Sequence, residues 1–447
     1  MPPSATVGPH PGARRTDGLK RPLTLLFLTV LLLACVAPPL IGRVVESRQQ
    51  FLLDQLSRYT IGAPPTVDDY QAGWFTSHAR HRLPLSEQGA RQLAHLLAGA
   101  RTTAPSSLII DSVIAHGPWP MLQGLPALAR MRSTFLLEDT DHHTTRIPGA
   151  AVTRIGFSGG GHTRFTADAI EGPMAGGQGV FSAAGADIDV SFDRHAAHLR
   201  SEGRLGPIEV AGTNGLMRAG NIAFHSDTRP TGHGLRSGSS QVSLERFEFT
   251  DRLGRQVSGS GFEIDLTVAA SGATVDYQTQ LELAEFQITG GAPFAAKMRL
   301  AIDALDSVML GALLQRMQQG FPIRAAGTEL AAVVRPGSRL QLSELEILTE
   351  DGRAALNLDL WLPADEDRAI SDGSELLSLL RGHGQLSFDR PMLNSLLGLK
   401  PGANGDPIGL LRAGYLRREG DTMVSDIDLS GGLLTVNKLP LPLAFGR

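Results

Sequence analysis

The 447-residue chain has one cysteine, Cys35, so no disulfide can form within it, and an oxidising compartment is neither required nor excluded. Lysine is nearly missing: of 41 basic residues only Lys20, Lys297, Lys400 and Lys438 are lysines, and the arginines are interspersed with acids. With no basic stripe and a formal net charge of -4, the chain lacks the electrostatic footprint of a nucleic-acid binder. It also lacks a P-loop, a dinucleotide fingerprint and a cysteine cluster, so no cofactor and no structural metal are expected. Aromatic residues make up only 5%. What is abundant is glycine, 51 residues, beside 27 prolines, a balance that suits many short strands joined by turns.

A long uncharged run stands near the start. Residues 1–22 form a basic leader with Arg14, Arg15, Lys20 and Arg21, and residues 23–42 carry no charge at all. About 20 apolar residues suffice to cross a bilayer as a helix, and the basic leader favours a cytoplasmic N-terminus. The first reading is therefore an uncleaved signal anchor. A cleaved secretory signal and an acylated Cys35 within the lipobox-like Leu32-Leu33-Ala34-Cys35 are the alternatives. Residues 43–60 then place Val44, Val45, Phe51, Leu52, Leu56 and Tyr59 largely on one side of a helix, a stalk continuing the anchor.

From residue 61 to residue 447 the dominant signal is alternation. "ADIDVSF" sets Ile188, Val190 and Phe192 against Asp187, Asp189 and Ser191. "FEIDLTV" (262–268), "VDYQTQLEL" (275–283) and "LNLDLWL" (356–362) repeat the pattern, each a strand with one dry and one wet face. Turn signals at Gly176-Gly177, Asn214-Gly215, Gly290-Gly291 and Asp351-Gly352 separate the strands. The expected fold is mainly β: an extended, curved antiparallel sheet with few helices, in one β-rich unit. Helices are expected at 86–99, 303–319, 374–381 and 391–397; Asp303 is the expected N-cap of the second, whose Leu and Met stripe would cover a sheet face.

Candidate catalytic groups fail on context. Gly156-Phe157-Ser158-Gly159-Gly160 contains the letters G-x-S-x-G, but a nucleophile elbow needs a helix directly after the serine, and here "GHTRFTADAI" follows, polar and β-leaning. Ser158 is therefore read as part of a glycine-rich turn at a strand end. The pairs His78/His81, His142/His143 and His195/His198 fall short of the three or four convergent ligands of a metal site and are read as exposed strand or loop histidines. The acids of "ADEDRA" (364–369) read as a solvated loop. No catalytic, cofactor-binding or metal-binding residue is assigned, and no enzyme activity is expected.

Four segments, in order, carry a resemblance: "YQAGWFTS" with Tyr70, Gly73, Trp74, Phe75 and Ser77; "HGPWP" from His116; Arg154 to Ser158; and "SDIDLSGGLLTVNKLPLPL" at 425–443. Behind one N-terminal anchor, this order resembles the YdgA-like family of bacterial envelope proteins, whose function is unknown. Lys438 stands after Asn437 where the resemblance leads one to expect glycine. The resemblance implies a single-pass inner-membrane protein with its C-terminal domain in the periplasm, and it brings no catalytic residues. Physically, Gly73 suits a bulge or close strand approach, and His116 a hydrogen-bonding turn residue. The function expected is binding of a lipid or another apolar ligand on the sheet's dry face; the alternative is a structural protein of the envelope that forms homo-oligomers or binds a partner.

Overall fold

A computed structural model describes residues 66–85, 105–116, 127–173, 179–195, 197–318, 327–364, 373–392 and 413–441. The expected leader, anchor and stalk, Cys35, the helix at 86–99, the Gly176-Gly177 turn and most of "ADEDRA" lie outside these residues. Among the described residues, no helix is long and apolar enough to cross a membrane.

The strands in chain order are β1 Thr66–Gln71, β2 Thr76–Pro84, β3 Pro105–His116, β4 Ala129–Asp139, β5 Thr144–Ile155, β6 Gly161–Ala167, β7 Ile170–Pro173 and β8 Gly179–Ala183. There follow β9 Ala186–Phe192, β10 Leu199–Leu205, β11 Ile208–Gly212, β12 Gly215–Ala219, β13 Ile222–Pro230, β14 Arg236–Asp251, β15 Gln256–Ser271 and β16 Thr274–Ile288. The last are β17 Phe294–Asp306, β18 Arg339–Thr349, β19 Gly352–Trp361, β20 Arg381–Asp389, β21 Arg417–Glu419, β22 Thr422–Ser430, β23 Leu433–Val436 and β24 Leu439–Leu441. Among the described residues they are accompanied by the α-helices α1 Ser307–Gln318, α2 Gly327–Val333 and α3 Gly373–Leu379 and by a short 3-10 turn at Gly232–Gly234.

All 24 described strands belong to one sheet, and every ladder in it is antiparallel, as the half-polar alternation predicts. Neighbours run β1 through β6, then β9, β10, β13, β14 and on to β20, then β22, β23 and β24. Of the remaining strands, β21 pairs with the start of β22, and β7, β8, β11 and β12 pair in that order and rejoin the sheet on the second half of β14. Thus β8 with β9, β10 with β11, and β12 with β13 are single long strands, each broken at one point. The breaks fall at Gly185, at Gly206 and at Gly220, and hydrogen bonds still cross them: Gly206 N–H donates to Gly185 O at 2.8 Å and Gly220 N–H to Arg246 O at 2.7 Å. The next ladder absorbs the break as a skipped pair, Glu245 with Gly261, and Gly261 takes φ +63. A line of local bends therefore crosses the sheet, built from residues without a Cβ where the backbone must leave the strand geometry.

The expected strands appear where the alternation placed them; β9 coincides with "ADIDVSF", and Asn214 and Asp351 sit in tight turns. Four local readings need correction. Helix α1 starts at Ser307 and its cap is Asp306, whose Oδ1 accepts the Val308 and Met309 N–H groups at 3.0 and 2.9 Å; Asp303 is still in β17, opposite Arg339. Gly73 lies in the β1–β2 connection and not in a bulge, although the close approach is real: a Cβ there would stand 2.0 Å from Thr76 O. His116 ends a strand and is fully buried, and His81 is buried where exposure was expected. The last turn does what an Asn-Gly pair would do, with Asn437 at φ 50 and Lys438 at φ 69.

Among the described residues, three apolar clusters form the core. Leu310 and Leu313 of α1 and Val333 of α2 pack with Val275, Leu305 and Leu235, so the helical Leu stripe covers one end of the sheet as expected. Ala79, Ile114, Ala129 and Ile155 form a second cluster, and Phe388, Leu416 and Met423 a third.

Candidate ligand-binding face

Residues paired across an antiparallel ladder point to the same side of the sheet. Register therefore carries one face across the molecule. The row Phe165, Ile188, Gly203, Phe224, Val242, Ile264, Leu281, Met298, Leu345, Leu356 and Leu386 is continuous from β6 to β20. A second row on the same face runs Leu266, Thr279, Leu300, Leu342, Leu358, and a third Val268, Tyr277, Ile302, Leu340, Leu360. The half-polar strands thus put most of their large apolar residues on one side.

That side is not sealed. In the first row every residue keeps part of its surface open, and Val242 is 40% exposed. Among the described residues, α1 and α2 pack on only one end of this face, against Val268, Tyr277 and Ile302. Burial there pushes the Tyr277 phenol up from its ordinary value, the response of a hydroxyl held in an apolar setting. Glycine shapes the surface as well: the Phe224 ring lies over Gly203, so that a Cβ there would stand 2.6 Å from it, and Phe192 covers Gly161 in the same way.

The opposite face is charged and stitched by pairs. Arg164 meets Asp187 at 2.5 Å, His162 meets Asp189 at 2.9 Å, and Arg339 meets Asp359 at 2.5 Å. A cleft of about 430 Å³ lies over Asp187, Asp189, Glu202, Arg204, His225 and Gln241, and two of its acids already face a partner. Exposed pairs of this kind hold register and add little stability.

Toward β2 the apolar face changes character. Its rows continue through Ala151, Ser133, Ser112 and Ala79, and through Thr163, Thr153, Met131, Ile114 and Ser77. Here the side chains are buried and many are polar. Ser77 Oγ lies 3.0 Å from His116 Nε2, Ser112 Oγ lies 2.8 Å from Ser133 Oγ, and Thr153 Oγ1 lies 2.9 Å from Thr163 Oγ1. His81 shares the face, opposite Ile110, which is opposite Phe135. Its imidazole is 2% exposed, and neither ring nitrogen has a hydrogen-bond partner among the described residues. Burial pushes it below its ordinary value, so the neutral ring is favoured; Asp68 opposes this more weakly.

The residues singled out from sequence are dispersed. Ser158 is exposed in the β5–β6 turn, closed by Gly159 N–H to Gly156 O at 2.9 Å, and β6 follows it directly. His142 and His143 are exposed beside Glu138 and Asp139. Asp139, Asp141 and His143 form a three-ligand group, yet Asp139 Oδ1 already accepts the Asp141 and His143 N–H groups at 3.0 and 2.9 Å and closes the turn. His195 is exposed, while His198 Nε2 pairs with Asp227 at 2.6 Å and holds that carboxyl below its usual range. Sequence reasoning missed His81, although a signal was there: it has the parity of Ser77 and Ala79, the dry side of β2.

Residues 19–444 match the family model described as a bacterial protein of unknown function (DUF945). No curated protein and no solved structure matches the chain.

Proposed function

This chain belongs to that bacterial family of unknown function, and from that premise we propose that it is an envelope protein whose open sheet face binds a lipid or another apolar molecule. The observation that carries the reading is the registered row from Phe165 to Leu386, apolar over most of its length and nowhere fully buried. Soluble proteins seldom expose contiguous apolar patches of such extent without a binding role. Each methylene withdrawn from water contributes about 0.8 kcal/mol, so half-burying a 16-carbon chain contributes about 6 kcal/mol before the cost of immobilising it.

The finer reading is the YdgA-like one: residues 23–42 anchor the chain in the inner membrane and residues 61–447 lie in the periplasm, which keeps the face near a membrane source of ligand. Secretion of residues 43–447 into the periplasm, purification without detergent and mass spectrometry of the bound material tests it. A stoichiometric amphiphile lost in Ile264→Arg and Leu281→Arg supports the reading; a clean wild-type protein refutes it. A structural role in homo-oligomers is the second reading, favoured by the exposed edge strand β1. It predicts cross-linked dimers through residues 66–71.

A further inference from the structure

At the buried end of the face, the His81 imidazole has no hydrogen-bond partner among the described residues. His81 is sealed from solvent without a hydrogen bond to either ring nitrogen, while the hydroxyls near it on the same face, Ser112 and Ser133, satisfy each other at 2.8 Å. An unpaired buried polar group is costly, and a native fold that keeps one calls for an explanation. From His81 the face runs through Ile110 and Phe135, and the Phe135 ring meets Phe165 at 5.5 Å, edge to face. Ile110, Phe135 and Phe165 all keep part of their surface open. Phe165 then starts the apolar row.

We propose that His81 is the polar anchor of this face. The ligand is a single-chain amphiphile whose head hydrogen-bonds the imidazole and whose chain crosses Ile110, Phe135 and Phe165 toward Ile188. The inference rests on the reading of the face as a ligand surface. Strands lie about 4.8 Å apart, so an extended chain of roughly 20 Å anchored on β2 spans about four strand intervals and arrives at β6. A neutral imidazole offers one donor and one acceptor. It is therefore matched by a head that both accepts and donates, a hydroxyl or a protonated carboxyl, whereas a fully ionised phosphate would satisfy one nitrogen and leave the other unpaired. A head bound there completes the hydrogen bonds of the imidazole and removes the penalty of burying it unpaired.

The test uses the full chain in phosphatidylethanolamine and phosphatidylglycerol vesicles with three photoreactive probes: diazirine-bearing palmitic acid, hexadecanol and hexadecane. Labelling is read on peptides from residues 105–192. The expected result is that the two headed probes label wild type at least tenfold more than hexadecane. His81→Leu abolishes that preference without lowering hexadecane labelling, and His81→Gln, which keeps a donor and an acceptor, restores much of it. Thermal unfolding of His81→Leu is expected to match or exceed wild type, because an orphan polar group has gone. Equal labelling by headed and headless probes in wild type, or an unchanged preference in His81→Leu, overturns the anchor while leaving the face reading intact. No labelling of this region by any probe overturns the face reading itself.

Discussion

Gly203 offers the sharpest test of how the apolar face is built. A Cβ on residue 203 would stand 2.6 Å from Cε1 and Cζ of Phe224 and 3.0 Å from Cγ1 of Ile188, well inside the roughly 3.5 to 4.0 Å of a relaxed carbon contact. Gly203 is not among the glycines with positive φ, so its backbone accepts alanine. The substitution then gains about 0.5 kcal/mol by restricting the unfolded chain and loses about 2 kcal/mol by forcing the ring off its seat. Gly203→Ala is thus expected to destabilise by about 1.5 kcal/mol, read as a lowered urea midpoint at constant slope. The decisive measurement is the cycle with Phe224→Ala. Without the ring the clash is gone, and Gly203→Ala should become neutral or mildly stabilising, a coupling of about 1 to 2 kcal/mol. If Gly203→Ala costs the same in both backgrounds, the ring does not lie over the glycine and the description of this face is wrong.

Other outcomes follow from the same geometry. Gly215→Ala should cost about 3 kcal/mol by chemical denaturation, because residue 215 has φ +133 and its Cβ would meet Thr250 O at 2.0 Å, a backbone atom that cannot yield. Lys438→Gly should stabilise by about 1 kcal/mol in the same assay, since Lys438 holds φ 69 in a turn that suits glycine. For His81 the folded state favours the neutral ring and the unfolded chain binds the proton more readily. Its contribution is therefore intact above neutrality and declines as pH falls through the ordinary value of 6.5 toward the lower folded value. His81→Leu should flatten the stability profile as pH falls below about 6.5, and an unchanged slope there would contradict the burial of a neutral ring.

Local chemistry was legible in the sequence wherever it was local. The alternation in "ADIDVSF" marks β9 because period two in a half-buried strand is a property of seven consecutive residues. Asn214-Gly215 marks a turn because the backbone there needs positive φ, and Gly215 indeed has φ +133. The start of α1 was misplaced by one turn because Asp303 and Asp306 are equally good caps in isolation. What chooses Asp306 is the pairing of Asp303 with Arg339 across β17 and β18, a contact between residues far apart in the chain. The Ser77–His116 and Ser112–Ser133 contacts were hidden for the same reason, since each joins residues 39 or 21 positions apart.

The line of bends gives the apolar face its physical sense. A flat sheet with one apolar side would invite stacking by a second copy over its full width. Here the long strands β8/β9, β10/β11 and β12/β13 are interrupted, at Gly185 with φ +103, at Gly206 and at Gly220, and Gly261 continues the line with φ +63. A Cβ at Gly185 would stand 2.5 Å from Ala167 O and one at Gly206 2.8 Å from Ala184 Cβ, so a side chain at either position would force the strands apart where they change direction. The hydrogen bonds across the breaks keep the two parts in one sheet, and the first apolar row runs alongside the line of bends without losing register. An apolar surface bordered by such a line of bends is a poor template for another flat sheet. The glycines therefore act through shape, opposing the stacking of a second flat sheet on this face.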